Sequence, residues 1–105
     1  GKITVGSLVA KNAPLGTQVT IGSIDLVPGT WIILANIWNP AELGMSPISL
    51  GIEELGFGTL ATSQLTQVIA FATLTVKASY HVVYTQWSKE SVVVRDGTII
   101  ALRIA

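Results

Sequence analysis

Residues 31 to 38, Trp-Ile-Ile-Leu-Ala-Asn-Ile-Trp, are apolar on both parities. In an extended chain Trp31, Ile33, Ala35 and Ile37 share one side, while Ile32, Leu34 and Trp38 with the lone polar Asn36 share the other. Such a strand requires cover on both faces. The rest of the chain repeats this character in milder form. No window of about 11 to 18 residues keeps the i, i+3, i+4, i+7 spacing of an amphipathic helix. Short runs rich in Val, Ile, Thr and Trp recur instead between Gly, Pro, Asn and Ser, which is an all-β pattern.

Strands are expected over residues 3–9, 18–26, 31–38, 48–55, 57–60, 68–76, 80–87, 92–94 and 99–104. Asn12, Pro14 and Gly16 predict a turn over 11–16, and Val27-Pro28-Gly29 predicts a tight reversal. Asn39-Pro40 ends the 31–38 strand, and an irregular loop follows to Pro47. Asp96-Gly97 lies between alternating apolar runs, the pattern of a two-residue type I′ hairpin turn. About eight short strands without helices predict one domain, residues 1–105, folded as an antiparallel β-sandwich of jelly-roll type. A sandwich of this size has a single inner layer, so the outward apolar residues of 31–38, 80–87 and 99–104 would form a large exposed patch. Burial against identical neighbours resolves that.

Composition narrows the function. Half of the 105 residues are apolar and 11% are charged, against about 25% in an ordinary soluble domain, which excludes disorder. Six basic residues balance six acidic ones, leaving no positive surface for phosphate backbones, so nucleic acid is not an expected partner. No apolar run exceeds five residues, far short of the roughly 20 of a spanning helix, and membrane insertion is not expected. Cysteine is absent, which removes disulfides, thiolate ligands and cysteine nucleophiles. The chain opens with Gly1 rather than Met, and we read it as a C-terminal fragment of a longer protein.

Catalytic patterns are sparse. His81 is the only histidine and no Gly-x-Ser-x-Gly elbow accompanies it, so a hydrogen-bonded or exposed strand histidine is expected. Glu53 and Glu54 are adjacent and, on a strand, would point to opposite faces, unlike a glycosidase acid and base. No metal-ligand series is present, and neither a metal nor another cofactor is expected. The aromatic residues say more. Trp38 ends one strand and precedes Asn39, Pro40 and Glu42; Trp87 ends another and precedes Ser88, Lys89 and Glu90. Indole faces stack on the apolar faces of sugar rings while neighbouring polar groups bind hydroxyls, so Trp38, Asn39, Glu42, Trp87, Lys89 and Glu90 are candidate saccharide contacts. Packing competes with that role for any tryptophan at a strand end. Trp31, just past the Pro-Gly reversal, is expected in the core.

The block Leu26-Val27-Pro28-Gly29-Thr30-Trp31-Ile32-Ile33-Leu34-Ala35-Asn36-Ile37 resembles the corresponding strand of the trimeric jelly rolls at the tips of bacteriophage tail fibres and receptor-binding proteins. Similar strands occur in tumour-necrosis-factor-like and complement globular-head domains. The stretches 72–76 and 92–105 are similar to the ends of phage tip domains. The resemblance implies a homotrimeric, non-enzymatic head at the virion tail tip, adhering to a saccharide on the host surface. A purely structural trimerisation or assembly domain of a virion or fibre is the alternative.

Overall fold

The computed structural model describes residues 2–105. The chain forms ten strands: β1 (Ile3–Leu8), β2 (Lys11–Pro14), β3 (Val19–Leu26), β4 (Gly29–Trp38), β5 (Ile48–Ile52), β6 (Phe57–Ala61), β7 (Leu65–Leu74), β8 (Ala78–Gln86), β9 (Ser91–Val94) and β10 (Asp96–Arg103). Two single 3-10 turns, Ala41–Leu43 and Glu53–Leu55, are the helical segments among the described residues. Eight strands make one sheet in the order β6-β5-β8-β3-β1-β10-β4-β7, and β2 pairs with β9 apart from it. The pairings are antiparallel.

The sheet folds back on itself at β1. Ile3 to Gly6 pair with β10, whereas Ser7 and Leu8 pair with β3, so one short strand serves two layers. Gly6 sits at this change of partner, where a Cβ would come 2.5 Å from the carbonyl oxygen of Ser23. The layers β1-β10-β4-β7 and β3-β8-β5-β6 face each other, and β5 and β6 approach β7 to make the assembly nearly a barrel. Between β3 and β4 the chain passes from one layer to the other, and the Trp31 indole N–H donates to the Val27 carbonyl across that reversal at 2.9 Å.

One apolar cluster fills the interior, including Trp31, Ile33 and Ile37 from one layer and Ile24, Leu50 and Tyr84 from the other. Trp31 is fully buried, as its position after the reversal predicts. On β4 only one parity is covered: Trp31, Ile33, Ala35 and Ile37 are buried, while Ile32 and Leu34 remain part-exposed and Trp38 exposed. β7 alternates without a break and turns Val68, Ala70 and Ala72 inward. Those small residues lie beside Ala35, Ile33 and Trp31 of β4, so alanine on one strand makes room for bulk on the other.

Three local expectations are corrected. Residues 11–14, expected as a turn, form β2, because Ala13 is fully buried and the segment pairs with β9 along its length. The Asp96-Gly97 hairpin does not form: β9 pairs with β2 while β10 pairs with β1 and β4, and Gly97 has no positive φ. Glu53 and Glu54 lie on a 3-10 turn rather than on a strand.

Candidate functional site

Where β4 ends, a cleft of about 430 Å³ opens between Trp38, Pro40, Glu42, Gln64, Arg95 and Asp96. Its size lies within the usual range for small-molecule sites, about 300 to 1,000 Å³. β4 and β10 set its geometry, since Asp96 lies directly opposite Trp38 in the ladder and Arg95 precedes it. Trp38 is 53% exposed, so half of its surface is free for a ligand. Residues carrying two carboxylates, a guanidinium and an amide line the same cleft as the indole, a set of groups suited to binding a polyhydroxylated ring.

Asn39 has a different role from its neighbours. It lines the cleft but is buried, and its amide faces inward. Its Nδ2 donates to the Ser63 carbonyl at 2.6 Å and to Thr66 Oγ1 at 3.1 Å, and its Oδ1 accepts from the Tyr84 hydroxyl at 3.2 Å. Its backbone N–H donates to the Gln64 carbonyl at 2.7 Å. Asn39 therefore fixes the 62–64 loop and Gln64 against the end of β4. Burial raises the Tyr84 phenol to about 12, so the hydroxyl in this network stays protonated.

The second candidate group, Trp87, Lys89 and Glu90, lies elsewhere. None of the three lines the cleft. They occupy the loop between β8 and β9, separated from Arg95 by the length of β9, on the order of 13 Å for a four-residue strand. Trp87 is 47% exposed and lies next to Gly16. The sequence candidates thus divide into a cleft formed around Trp38 and Glu42 and a loop that projects Trp87. Gln64, Arg95 and Asp96 were not among the candidates, because long-range strand pairing alone brings them to Trp38.

His81 forms a small charged pair on the outer face of β8. Its Nδ1 lies 2.5 Å from Glu54 Oε2, and its backbone N–H donates to Glu54 Oε1 at 2.6 Å. The hydrogen bond to Glu54 holds the His81 imidazole above its ordinary value of 6.5, with partial desolvation opposing and the charges of Glu54, Glu53 and Asp25 adding. On Glu54, desolvation pushes upward, but hydrogen bonds from the His81 side chain and backbone prevail and hold the carboxyl below 4.5. The raised histidine contributes stability that is complete below 6.5 and is lost as pH rises through its folded value. The lowered carboxyl contributes stability that is complete above 4.5 and is lost as pH falls through its folded value. The pair therefore acts mainly between about 4.5 and 6.5, and at this exposure it is worth less than about 1 kcal/mol. Melting of the parent and Glu54→Gln should differ most near pH 5.5, where both groups are charged, and less at alkaline pH, where the backbone bonds to the carboxylate remain and the charge on His81 is gone. An equal difference at every pH would show that the charge on His81 is irrelevant.

Among the described residues no group of three or more His, Asp or Glu side chains could hold a metal ion, and no helix is long and apolar enough to cross a membrane. Comparison with known proteins finds no matching family model, no matching curated protein and no matching solved structure.

Proposed function

We propose that this chain is a non-enzymatic recognition head that binds a cell-surface saccharide in the Trp38 cleft and acts as a homotrimer. The cleft carries this reading: a half-exposed indole sharing a cleft with Glu42, Asp96, Arg95 and Gln64 offers a stacking surface alongside hydrogen-bonding groups. One such site binds weakly. Three on a rigid trimer gain affinity through effective concentration, as adhesion to a repetitive glycan surface requires. Assignment to the tip of a bacteriophage tail fibre or receptor-binding protein, with a jelly-roll form of the sandwich and extracellular action at the host surface, rests on the likeness of residues 26–37, 72–76 and 92–105 to such domains. Glu42 and Asp96 lie in one cleft, but both are exposed, whereas a glycosidase acid needs a carboxyl in apolar surroundings. That favours binding over cleavage.

Glycan-array binding of the parent and of Trp38→Ala tests the proposal. Loss of the indole should lower binding at least about tenfold, the effect of losing one good contact, while the melting temperature changes little because the side chain is half-exposed. Unchanged binding by Trp38→Ala, with loss in Trp87→Ala, would move the site to the 87–90 loop. Release of reducing sugar by the parent would overturn the non-enzymatic reading. The second reading, a purely structural trimerisation domain, is favoured by the apolar outer face of the β1-β10-β4-β7 layer, and it predicts no glycan binding by any variant.

A further inference from the structure

The outer face of the β1-β10-β4-β7 layer carries two in-register rows of aliphatic and aromatic side chains. Ile3, Leu102, Ile32 and Phe71 form one row across the four strands, and Val5, Ile100, Leu34 and Ile69 form the next. Val5 is 69% exposed, Phe71 66% and Ile3 65%, so the rows are open along both edges of the layer. We infer that this face is the surface through which copies of this chain associate. The inference deepens the homo-oligomeric part of the proposal above and does not depend on the saccharide.

The first argument is the arrangement of β7. It turns Ile69 and Phe71 outward and Ala70 and Ala72 inward, because Trp31 and Ile33 of β4 take the inner space. The larger apolar groups of β7 are thereby left half or more exposed on the outside, a surface that association would cover. Area is the second argument. The two rows expose on the order of 600 Å², the upper end for the largest patch on a soluble monomer and close to the ~800 Å² per partner of a stable interface.

Self-complementarity identifies the occupant as a second copy. Neither row contains a charged residue, and the flanking polar side chains bind each other: Thr98 Oγ1 donates to Asn36 Oδ1 at 2.8 Å, and the Thr30 and Thr73 hydroxyls pair at 3.3 Å. Gln67, opposite Asn36 on the outer face of β7, keeps a free amide there, but it is uncharged and does not select a partner of opposite charge. With zero net charge, two copies meet without repulsion. Lys2 and Arg103 adjoin the Ile3–Leu102 end of the first row, fewer cations than the cluster of about four to eight that a membrane surface calls for. Trp38 has the same parity on β4 as Ile32 and Leu34, about 13 Å beyond Leu34 along the strand, so association through these rows would leave the clefts at the interface rim.

Light scattering on the intact chain, with Val5→Lys and Phe71→Lys, tests the inference. Both positions are exposed in the single chain, so lysine should not disturb its core. The parent should scatter as a multiple of the chain mass, three in the trimer reading, and each lysine variant should fall to a single chain with unchanged circular dichroism. A monomeric parent at about 100 µM, far above the dissociation constant of a standard interface, would overturn it, as would lysine variants that stay associated. The cysteine-free sequence allows a second measurement: Ile3→Cys should cross-link between copies with a long flexible bis-maleimide, whose reach does not require the two cysteines to touch, and absence of cross-links would count against the interface even if the lysine variants failed to fold. A monomeric parent that co-sediments with phosphatidylcholine–phosphatidylglycerol vesicles would assign the face to lipid and overturn the inference. An oligomer dissociated by Val5→Lys but silent on glycan arrays retains the interface and removes the saccharide reading; a monomer that binds glycan does the reverse.

Discussion

Gly97→Val is expected to lower the stability of the fold by about 3 kcal/mol or more, read from its denaturation midpoint. Gly97 lies opposite Ile37 of β4, on the face of β10 that also carries buried Ile99 and Ala101. A Cβ there would overlap the carbonyl oxygen of Asn36 and come 3.2 Å from the Ile37 Cα. Both obstacles are backbone. β4 cannot retreat from them, because it is hydrogen-bonded to β10 on one side and β7 on the other along nearly its whole length. Gly97→Ala should already cost about 1 to 3 kcal/mol. Gly97→Asn separates crowding from turn chemistry. Asparagine accepts positive φ readily, so a hairpin turn would tolerate it, whereas the crowded strand position should lose about as much as with valine. A Gly97→Asn protein with the parental midpoint would restore the turn that the strand pairing rules out.

The same position shows why local chemistry was an incomplete guide. Asp-Gly between apolar runs marks a hairpin when the flanking strands are each other's best partners. Here Val92 and Val94 are buried on β9, which pairs with β2, and β10 pairs with β4 and β1, so partners distant in sequence prevail over the adjacent one. The all-β class was legible because it depends on side-chain period and punctuation alone. So was the burial of Trp31 just past the reversal, although β4 as a whole was expected to be covered on both faces and the single chain covers one. The orientation of β7 was not, because Ile69 and Ala70 both read as apolar and only the bulk of β4 dictates which points inward. Trp38 and Glu42 were legible as members of one cleft because they are neighbours in the chain. Arg95 and Asp96 reach the same cleft from the other end of the sequence, and no spacing rule encodes that pairing. Gln86 did carry a signal: it continues the Tyr80, Val82, Tyr84 parity, and a polar residue in phase with a buried face requires partners.

Those partners make Gln86 the site of the second large effect. It is fully buried, and its amide is saturated. Nε2 donates to the carbonyls of Ala13 at 3.0 Å and Lys89 at 2.8 Å, while Oε1 accepts the N–H groups of Ser88 and Lys89, both at 2.9 Å. Gln86 thus closes the 87–90 loop and ties it to β2. Gln86→Leu keeps most of the volume and removes all four bonds. Water can replace those to the exposed loop but reaches the Ala13 carbonyl poorly, so a loss of about 3 kcal/mol is expected, with faster tryptic cleavage after Lys89. Gln86→Glu distinguishes hydrogen bonding from shape. A buried carboxyl facing two carbonyl oxygens is held above its unfolded value, so this variant should be most stable in acid and lose stability as pH rises through that raised value. The leucine variant should show no such added slope. A Gln86→Leu protein with parental stability and trypsin resistance would remove the amide as the loop's anchor. The Trp38 cleft is lined by Val93 and Arg95 at the far end of β9 and by none of the loop residues 87–90. Glycan binding per folded molecule should therefore survive Gln86→Leu, which separates the loop's part in stability from any part of Trp87 in recognition.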